Sequence, residues 1–471
     1  MNRAVTYVAP KGAALRGDYE VKVRVPGGEW QDVSVYEVRV DMHNVREASM
    51  AYFDMEGSVQ VTVKVRHKEP REVVIRPLSY TVPFTVEGDT IQFTLDQPRK
   101  LSIECDGDRF GNLHLFANST ETDAPNPDGP NVALIRPGIH RLPDLLERIS
   151  SLDTLYFMPG MHYIEETVLP IPSGKTVYIA GGAVVAGSLI CDHVQDVAIK
   201  GRGLLYLADF HRFSAFRGVR IVFSENISVE GITVVDPPHY SIFVGKSRGI
   251  LIRNFKAFST RGWSDGIDMM SSENIDIDDV FMRNSDDCIA VYGSRWDFYG
   301  DTRHVTVKNS ILWADVAHAI MIGTHGDHHR AGDTLEALRF ENIDILEHHE
   351  PQPNYWGAMA INAGDRNTIR NVVFEDIRVE AIEMGQLFDV RVVHNKDYNP
   401  TPGQRIENVV FRNIQYAGGT PNPSRIYGFD EERVIDGMLI DNLRVGGERV
   451  ESLNHPTLDV NEHTRNITII K

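Results

Sequence analysis

"ISVEGITVVDPPHYSIFVGKSRGILIRNF" (residues 227–255) carries the pattern that decides the fold. It opens on alternating apolar residues, Ile227 and Val229, ended by Gly231. It closes on the same figure, Ile250 and Ile252, ended by Asn254. Between them lies a second short apolar run, "SIFVG". Each figure reads as a period-2 strand ended by a residue type that tolerates positive φ. The figure recurs along the chain as "VYIAGG", "VAIKGR", "IDIDDV", "VTVKNS", "LRFENI", "VVFEDI", "VVFRNI" and "MLIDNL". These units begin at Val177, Val197, Ile275, Val305, Leu338, Val372, Val409 and Met438, and all spacings fall between 20 and 37 residues. One such strand cannot bury its apolar face alone, whereas a stack of them buries a continuous core. With no helical pattern between the strands, the reading is all-β: a right-handed parallel β-helix over residues 126–471, with the first residues of the units expected in one stack.

Residues 1–125 read differently. "YEVKVRV", "VSVYEVRV", "VQVTVKVRH" and "TIQFTL" alternate apolar and polar residues between Gly/Pro turns, the pattern of an N-terminal antiparallel β-sandwich. This accessory domain is expected to pack against the coil or to orient carbohydrate. "NSTETDAPNPDGPN" (118–131) reads as a linker, and residues 143–150 as one amphipathic helix capping the first coil. The chain of 471 residues has a net charge of −18, which argues against nucleic acid or an anionic membrane as partner. Its three cysteines are scattered, so neither a disulfide framework nor a zinc spacing is expected. "MNRAVTYVAPKG" has no apolar leader, from which a cytoplasmic protein is expected. Nothing in the sequence sets the oligomeric state.

The chemistry concentrates on the second apolar strand of each coil. Aligning "SIFVG", "GIDMM", "CIAVY", "AIMIG" and "AMAIN" puts Tyr240, Asp265, Asp287, His318 and Gly357 in one column, with Asp286 one residue before it. Neighbouring strands lie about 4.8 Å apart, so Asp265, Asp287 and His318 are expected on successive rungs. An Asp before a Gly is usually a turn residue. Three carboxyls and an imidazole in adjacent registers repel in part and raise one another's pKa, an arrangement found where chemistry needs it. There is no nucleophilic Ser or Cys pattern and no phosphate loop. Glycosidic hydrolysis needs a protonated acid for the leaving oxygen and a carboxylate base for water, set roughly 6.5–9.5 Å apart in inverting enzymes. Asp286, offset from the column, is expected to face Asp265 and Asp287 across that water.

At these residues the chain resembles glycoside hydrolase family 28, the polygalacturonases. "WSDGID" stands for the family's Asn-Thr-Asp, "SDDCIA" for its Asp-Asp-Cys block and "VAHAIMIG" for its Gly-His-Gly. The resemblance implies a β-helix and hydrolysis of oligo- or polysaccharide with inversion. It implies Asp286 as general acid, Asp265 and Asp287 holding the water, and His318 supporting the acid or a sugar hydroxyl. The family's Arg-Ile-Lys reads here Ala360-Ile361-Asn362, which removes the two cations that grip a uronate. A neutral sugar is then expected at that subsite, or a uronate held by Arg295, Arg303 or Arg330. Family 49, the dextranase and isopullulanase group, is the second resemblance; it shares the fold, the three acids and an N-terminal sandwich.

Long connections beside the column carry Trp263, Trp296, Tyr299, Tyr355 and Trp356, expected as sugar platforms. Together with Tyr240, Arg303, His325 and Asn362, the three tryptophans make up the expected substrate-binding set. The His/Asp loop "THGDHHR" is metal-like in composition, yet the hydrolysis needs no metal or other cofactor and none is expected. Long loops closing one end of a cleft would favour exo action on oligosaccharides. A polysaccharide lyase, which needs an Arg or Lys base that the column lacks, and an inactive sugar-binding coil are the rival classes.

Overall fold

The computed structural model describes residues 2–211 and 217–470. Alternation builds the N-terminal sandwich. A six-stranded sheet (Arg3–Thr6, Val35–Val40, Arg46–Glu56, Val73–Arg76, Arg99–Cys105, Asp108–Ser119) faces a five-stranded one (Tyr19–Arg24, Gln31–Val33, Val59–Val65, Phe84–Glu87, Thr90–Leu95). In Val59–Val65 every second residue is buried, so that Val59, Val61, Val63 and Val65 meet Phe53, Leu101, Ile103 and Leu115 of the other sheet. One pairing departs from the antiparallel expectation: Asp108–Ser119 runs parallel to Arg46–Glu56. The chain crosses to the other sheet between these strands, so no hairpin dictates their direction.

From Val132–Ile135 to Thr464–Ile470 the chain winds into one 30-stranded sheet of stacked coils. The helix Leu142–Ser151 closes the first coil, burying Leu145 and Ile149 from one face. The repeat units stack as expected from Val197 onward, Val197 pairing Ile227, then Ile250, Ile275, Val305, Leu338, Val372, Val409 and Met438 in turn. The first unit does not. Val177 pairs Ile199, two residues beyond the expected Val197. A shift of two preserves which side chains point inward, so the apolar pattern cannot detect it.

Each unit turns at a left-handed residue. Asn254, Asp279, Asn309, Asn342, Asp376, Asn413 and Asn442 all have φ between 48° and 58°. Several of these side chains bond along the stack, Asn342 Nδ2 to Asn309 Oδ1 at 2.8 Å and Asn442 Nδ2 to Asn413 Oδ1 at 3.0 Å. Inside, Phe340, Phe374 and Phe411 stack rung upon rung at 5.0 and 4.9 Å.

The sandwich lies flat on the coil. Tyr36, Val38, Met50 and Phe116 pack on Phe258, Phe281 and Trp313. Buried Arg76 bonds Glu104 of the sandwich at 3.1 Å, and Glu347 and Glu380 of the coil at 3.0 and 2.6 Å. Arg283, fully buried, forks onto Asp315 and reaches Asn112 and His114 of the sandwich. The three cysteines are free and buried. Among the described residues no helix is long and apolar enough to cross a membrane.

Candidate active site

The strands Ile242–Gly245, Ile267–Met270, Ile289–Tyr292, Ile320–Gly323 and Met359–Ala363 pair in parallel, with Ile242, Ile267, Ile289, Ile320 and Met359 in one row. Counting back two residues gives the column Tyr240, Asp265, Asp287, His318 and Gly357. Backbone bonds continue through it, Gly266 N–H to Asp287 O at 2.8 Å and Cys288 N–H to His318 O at 2.9 Å. Gly266 has no room for a side chain: a Cβ there would lie 2.2 Å from the Cys288 carbonyl. The sandwich reaches this spot too, Met42 N–H donating to Ser285 Oγ at 3.0 Å, one residue before Asp286.

Oxygens of Asp265, Asp286 and Asp287 all lie within 4.8 Å of one another. The column therefore assembles the three acids, but more tightly than the wide gap expected for a water between them. Two carboxylate oxygens at that range can still share one bridging water through two ordinary hydrogen bonds.

The two adjacent acids sit in different surroundings. Asp286 accepts the Trp263 N–H at 3.0 Å and the Asp287 N–H at 3.1 Å. Burial, followed by the neighbouring Asp287, nevertheless pushes its carboxyl up to about 7. Asp287 accepts both the His318 N–H, at 3.1 Å, and the ring Nδ1, at 2.6 Å. The His318 ring is fully buried and its Nε2 bonds the Tyr355 carbonyl. Burial alone would lower its pKa; the Asp287 carboxylate and then Glu350 outweigh this and raise it to about 9. Both ring nitrogens are thus committed. His318 was expected to support the acid or a sugar hydroxyl; its direct partners are Asp287 and the Tyr355 carbonyl.

The structure adds Asp268 to the group. It lies three residues after Asp265 on the outward side of its strand and is fully buried, and both its oxygens lack a hydrogen-bond partner. Burial, then the adjoining carboxyls, pushes Asp265 and Asp268 well above the usual range. The signal was present in "SDGIDMM", where Ile267 and Met269 point inward and leave Asp268 outward.

The expected sugar-binding residues divide. Trp263 and Trp296 are 54% and 45% exposed, and both hold positive φ, 64° and 52°, unusual for so bulky a residue. Trp263 uses that conformation to aim its N–H at Asp286. Tyr240 is buried, and its hydroxyl accepts from Arg295 Nη1 at 2.5 Å. His325 packs edge-on to Tyr292 and, with Arg295, Trp296, Tyr299, Asp365 and Tyr398, lines a cleft of about 450 Å³. Trp356 follows Tyr355 on the other side of the acids, its Nε1 buried and without partner. Asn362 is turned to its own neighbours: it is buried and donates to Asp389 Oδ2 at 3.2 Å. Arg303 is not brought to the site. It pairs in register with Glu273 and Glu336 on the sheet that opens each coil, and its Nε lies 3.0 Å from Glu336. The strand Thr302–Ala314 starts early enough to carry it there. Arg330 lies on the cleft rim, 5.0 Å from the Tyr299 ring. Among the described residues the His/Asp loop forms no common centre: the His328 and His329 rings lie tilted, with centroids 3.9 Å apart, while Asp327 accepts the His329 and Arg330 N–H groups.

The family model for glycosyl hydrolases family 28 matches residues 214–457. A probable exopolygalacturonase B of Aspergillus niger is 24% identical over 247 residues, covering 47% of this chain and 53% of that protein. A polygalacturonase of Juniperus ashei is 22% identical over 210 residues, covering 43% and 38%. The chain spans about half the length, or less, of these relatives. Among solved structures, Dex49A from Penicillium minioluteum superposes with a TM-score of 0.65 at 16% identity, over 98% of this chain and 96% of that one. A Yersinia enterocolitica family 28 exopolygalacturonase gives 0.56 at 12% identity, over 93% and 98%. At these identities the structural likeness concerns the fold.

Proposed function

The chain belongs to glycosyl hydrolase family 28, and on that premise we propose that it hydrolyses glycosidic bonds of oligosaccharides with inversion at the anomeric carbon. One observation carries the reading: a carboxyl held near neutrality, Asp286, beside a second carboxylate paired with a buried imidazole. Asp286 donates its proton to the leaving glycosidic oxygen. Asp287 and Asp265 hold the water that attacks from the opposite face, and one of them takes its proton. The water oxygen bonds to the anomeric carbon, the glycosidic C–O bond breaks, and the atoms balance without any other reactant. His318 is a positioning residue that fixes Asp287 through Nδ1.

Exo action on short chains is supported by the loops around the 450 Å³ cleft and by the exopolygalacturonase relatives. An anomer-resolved NMR time course on trigalacturonate and on isomalto-oligosaccharides tests the reading. First-formed product of inverted configuration is expected. Retained configuration would point instead to a covalent intermediate on one of the close-set acids, an unsaturated product to a lyase, and no turnover to a binding protein.

A further inference from the structure

Ile139, Tyr163, Ala186 and Tyr206 stand on successive rungs of the coil, away from the acid column. Ile139 pairs Tyr163 and Tyr163 pairs Ala186; the pairing of Val185 with Leu205, carried one residue on, sets Ala186 beside Tyr206. This row runs from solvent into the seam between coil and sandwich. Ile139 and Tyr163 are 74% and 44% exposed, Tyr206 is half-buried, and the next residue of the row, Val235, is buried against the sandwich. The acids sit on another ladder, through Ile242–Gly245 and Ile267–Met270, whereas Tyr206 belongs to the ladder that continues through Thr233–Val235 and Lys256–Phe258.

Where the row enters the seam there is a recess of about 140 Å³. Tyr163, Ala186 and Tyr206 line it from the coil, Tyr36 and Glu37 from the sandwich, and Asp209 from the loop after Leu204–Tyr206. The two coil tyrosines are two rung spacings apart, about 9.6 Å. Two van der Waals contacts of about 3.5–4 Å each span most of that gap. With only the Ala186 methyl between them, the rings leave a slot for one flat ring. The wall carries polar groups as well. Burial, then Asp209, raises the pKa of the Tyr206 hydroxyl, with Arg39 opposing and Glu37 adding, so both carboxylates lie near it. Tyr36 is buried, and its hydroxyl makes no hydrogen bond.

A pair of aromatic rings offers apolar faces to a sugar, and carboxylates accept its hydroxyls. The same carboxylates repel a uronate. We propose that this recess binds one uncharged pyranose unit, with Ile139 and the exposed edge of Tyr163 carrying the next unit of the chain. It is a second carbohydrate site, remote from the acids, and it does not depend on hydrolysis there. A recess that is only a gap in the packing predicts no response to sugars, and a higher melting temperature when Ala186 is enlarged.

Methyl NMR of the full chain labelled at methionine tests the proposal. Met161 also lines the recess, while Met269 and Met270 share a strand with Asp268, so the two sites report separately. The Met161 signal is identified by its loss in Met161→Leu. Titration with isomaltotriose or with galactotriose is expected to shift it saturably, and titration with trigalacturonate to leave it in place. Tyr163→Ala is expected to raise the half-point for the neutral sugar roughly fivefold. Ala186→Leu, which keeps both tyrosines and fills the slot, is expected to abolish the shift. Melting temperatures show whether each variant is folded, and Tyr206→Ala replaces one that is not. A Met161 signal that neither neutral sugar moves, that trigalacturonate moves more, or that keeps its half-point in the folded variants overturns the proposal. Those results leave the hydrolase reading standing, because that is decided by the anomer of the product.

Discussion

Replacing Asp286 by asparagine should cripple turnover and, at alkaline pH, stabilise the fold. The two effects share a cause. In the unfolded chain this carboxyl loses its proton near 3.8; in the folded protein it holds it to about 7. Between those values the unfolded state binds fewer protons, so stability falls as pH rises from 4 to 7 and is level beyond. About three pH units at 1.36 kcal/mol each give a cost on the order of 4 kcal/mol at pH 8. Asparagine is never charged, so it escapes that cost. It keeps one acceptor for the Trp263 and Asp287 N–H groups and loses the other, about 1 kcal/mol at every pH. The variant should therefore be slightly less stable than wild type at pH 4 and more stable by about 3 kcal/mol at pH 8. With an unfolding entropy of about 1 kcal/mol/K for a chain this long, calorimetry should show a gain of about 3 °C at pH 8 and a loss of about 1 °C at pH 4. Loss of a general acid should cost about 10²–10⁴ in kcat. A variant that melts at or below wild type at pH 8 would refute the premise that Asp286 is a strained, proton-holding acid, whatever happened to its activity.

The pH–rate profile of the wild type should fall above about 7 as Asp286 deprotonates; a profile flat to pH 9 would assign the acid elsewhere. His318 has its folded pKa raised to about 9, so the stability it adds is complete below about 6.5 and is lost as pH climbs through 9. In His318→Gln that stretch of the denaturation profile should flatten, and kcat should fall more than KM rises, because Asp287 loses its orienting partner. Arg76→Met leaves Glu104, Glu347 and Glu380 facing one another at the sandwich–coil seam and should cost about 3–5 kcal/mol in urea denaturation. Asn342→Ala, at φ 53°, should cost about 1–2 kcal/mol, with Asn342→Gly recovering part of it.

The coil was readable because inward parity repeats with every rung, and parity is what a sequence displays. Its absolute register was readable only where coils are alike, so the two-residue slip at Val177 passed unseen. The acid column was found by counting back from apolar strands, which works because Asp265, Asp287 and His318 each precede such a strand by two residues. The same counting missed Asp268, which lies inside a strand that looked wholly like core. Arg303 was misplaced for a related reason: the long strand Thr302–Ala314 begins on a different sheet, and loop length in sequence does not disclose where a strand is entered.

What no pattern could supply is the division of labour between neighbours. Asp286 and Asp287 are the same residue type, one peptide apart, and parity alone makes them differ only in which way they face. Their surroundings differ because a single imidazole, 31 residues on, presents Nδ1 and its own N–H to Asp287, while Asp286 receives two backbone N–H groups. Burial with a like charge beside it pushes the Asp286 carboxyl up, while Asp287 faces the ring of His318. The imidazole can do this because Tyr355 fixes its far nitrogen, from a loop that enters the site only after another full coil. The chemistry is therefore written across three rungs at once, and moving Tyr355 away should weaken the distinction between the two acids even with both aspartates in place.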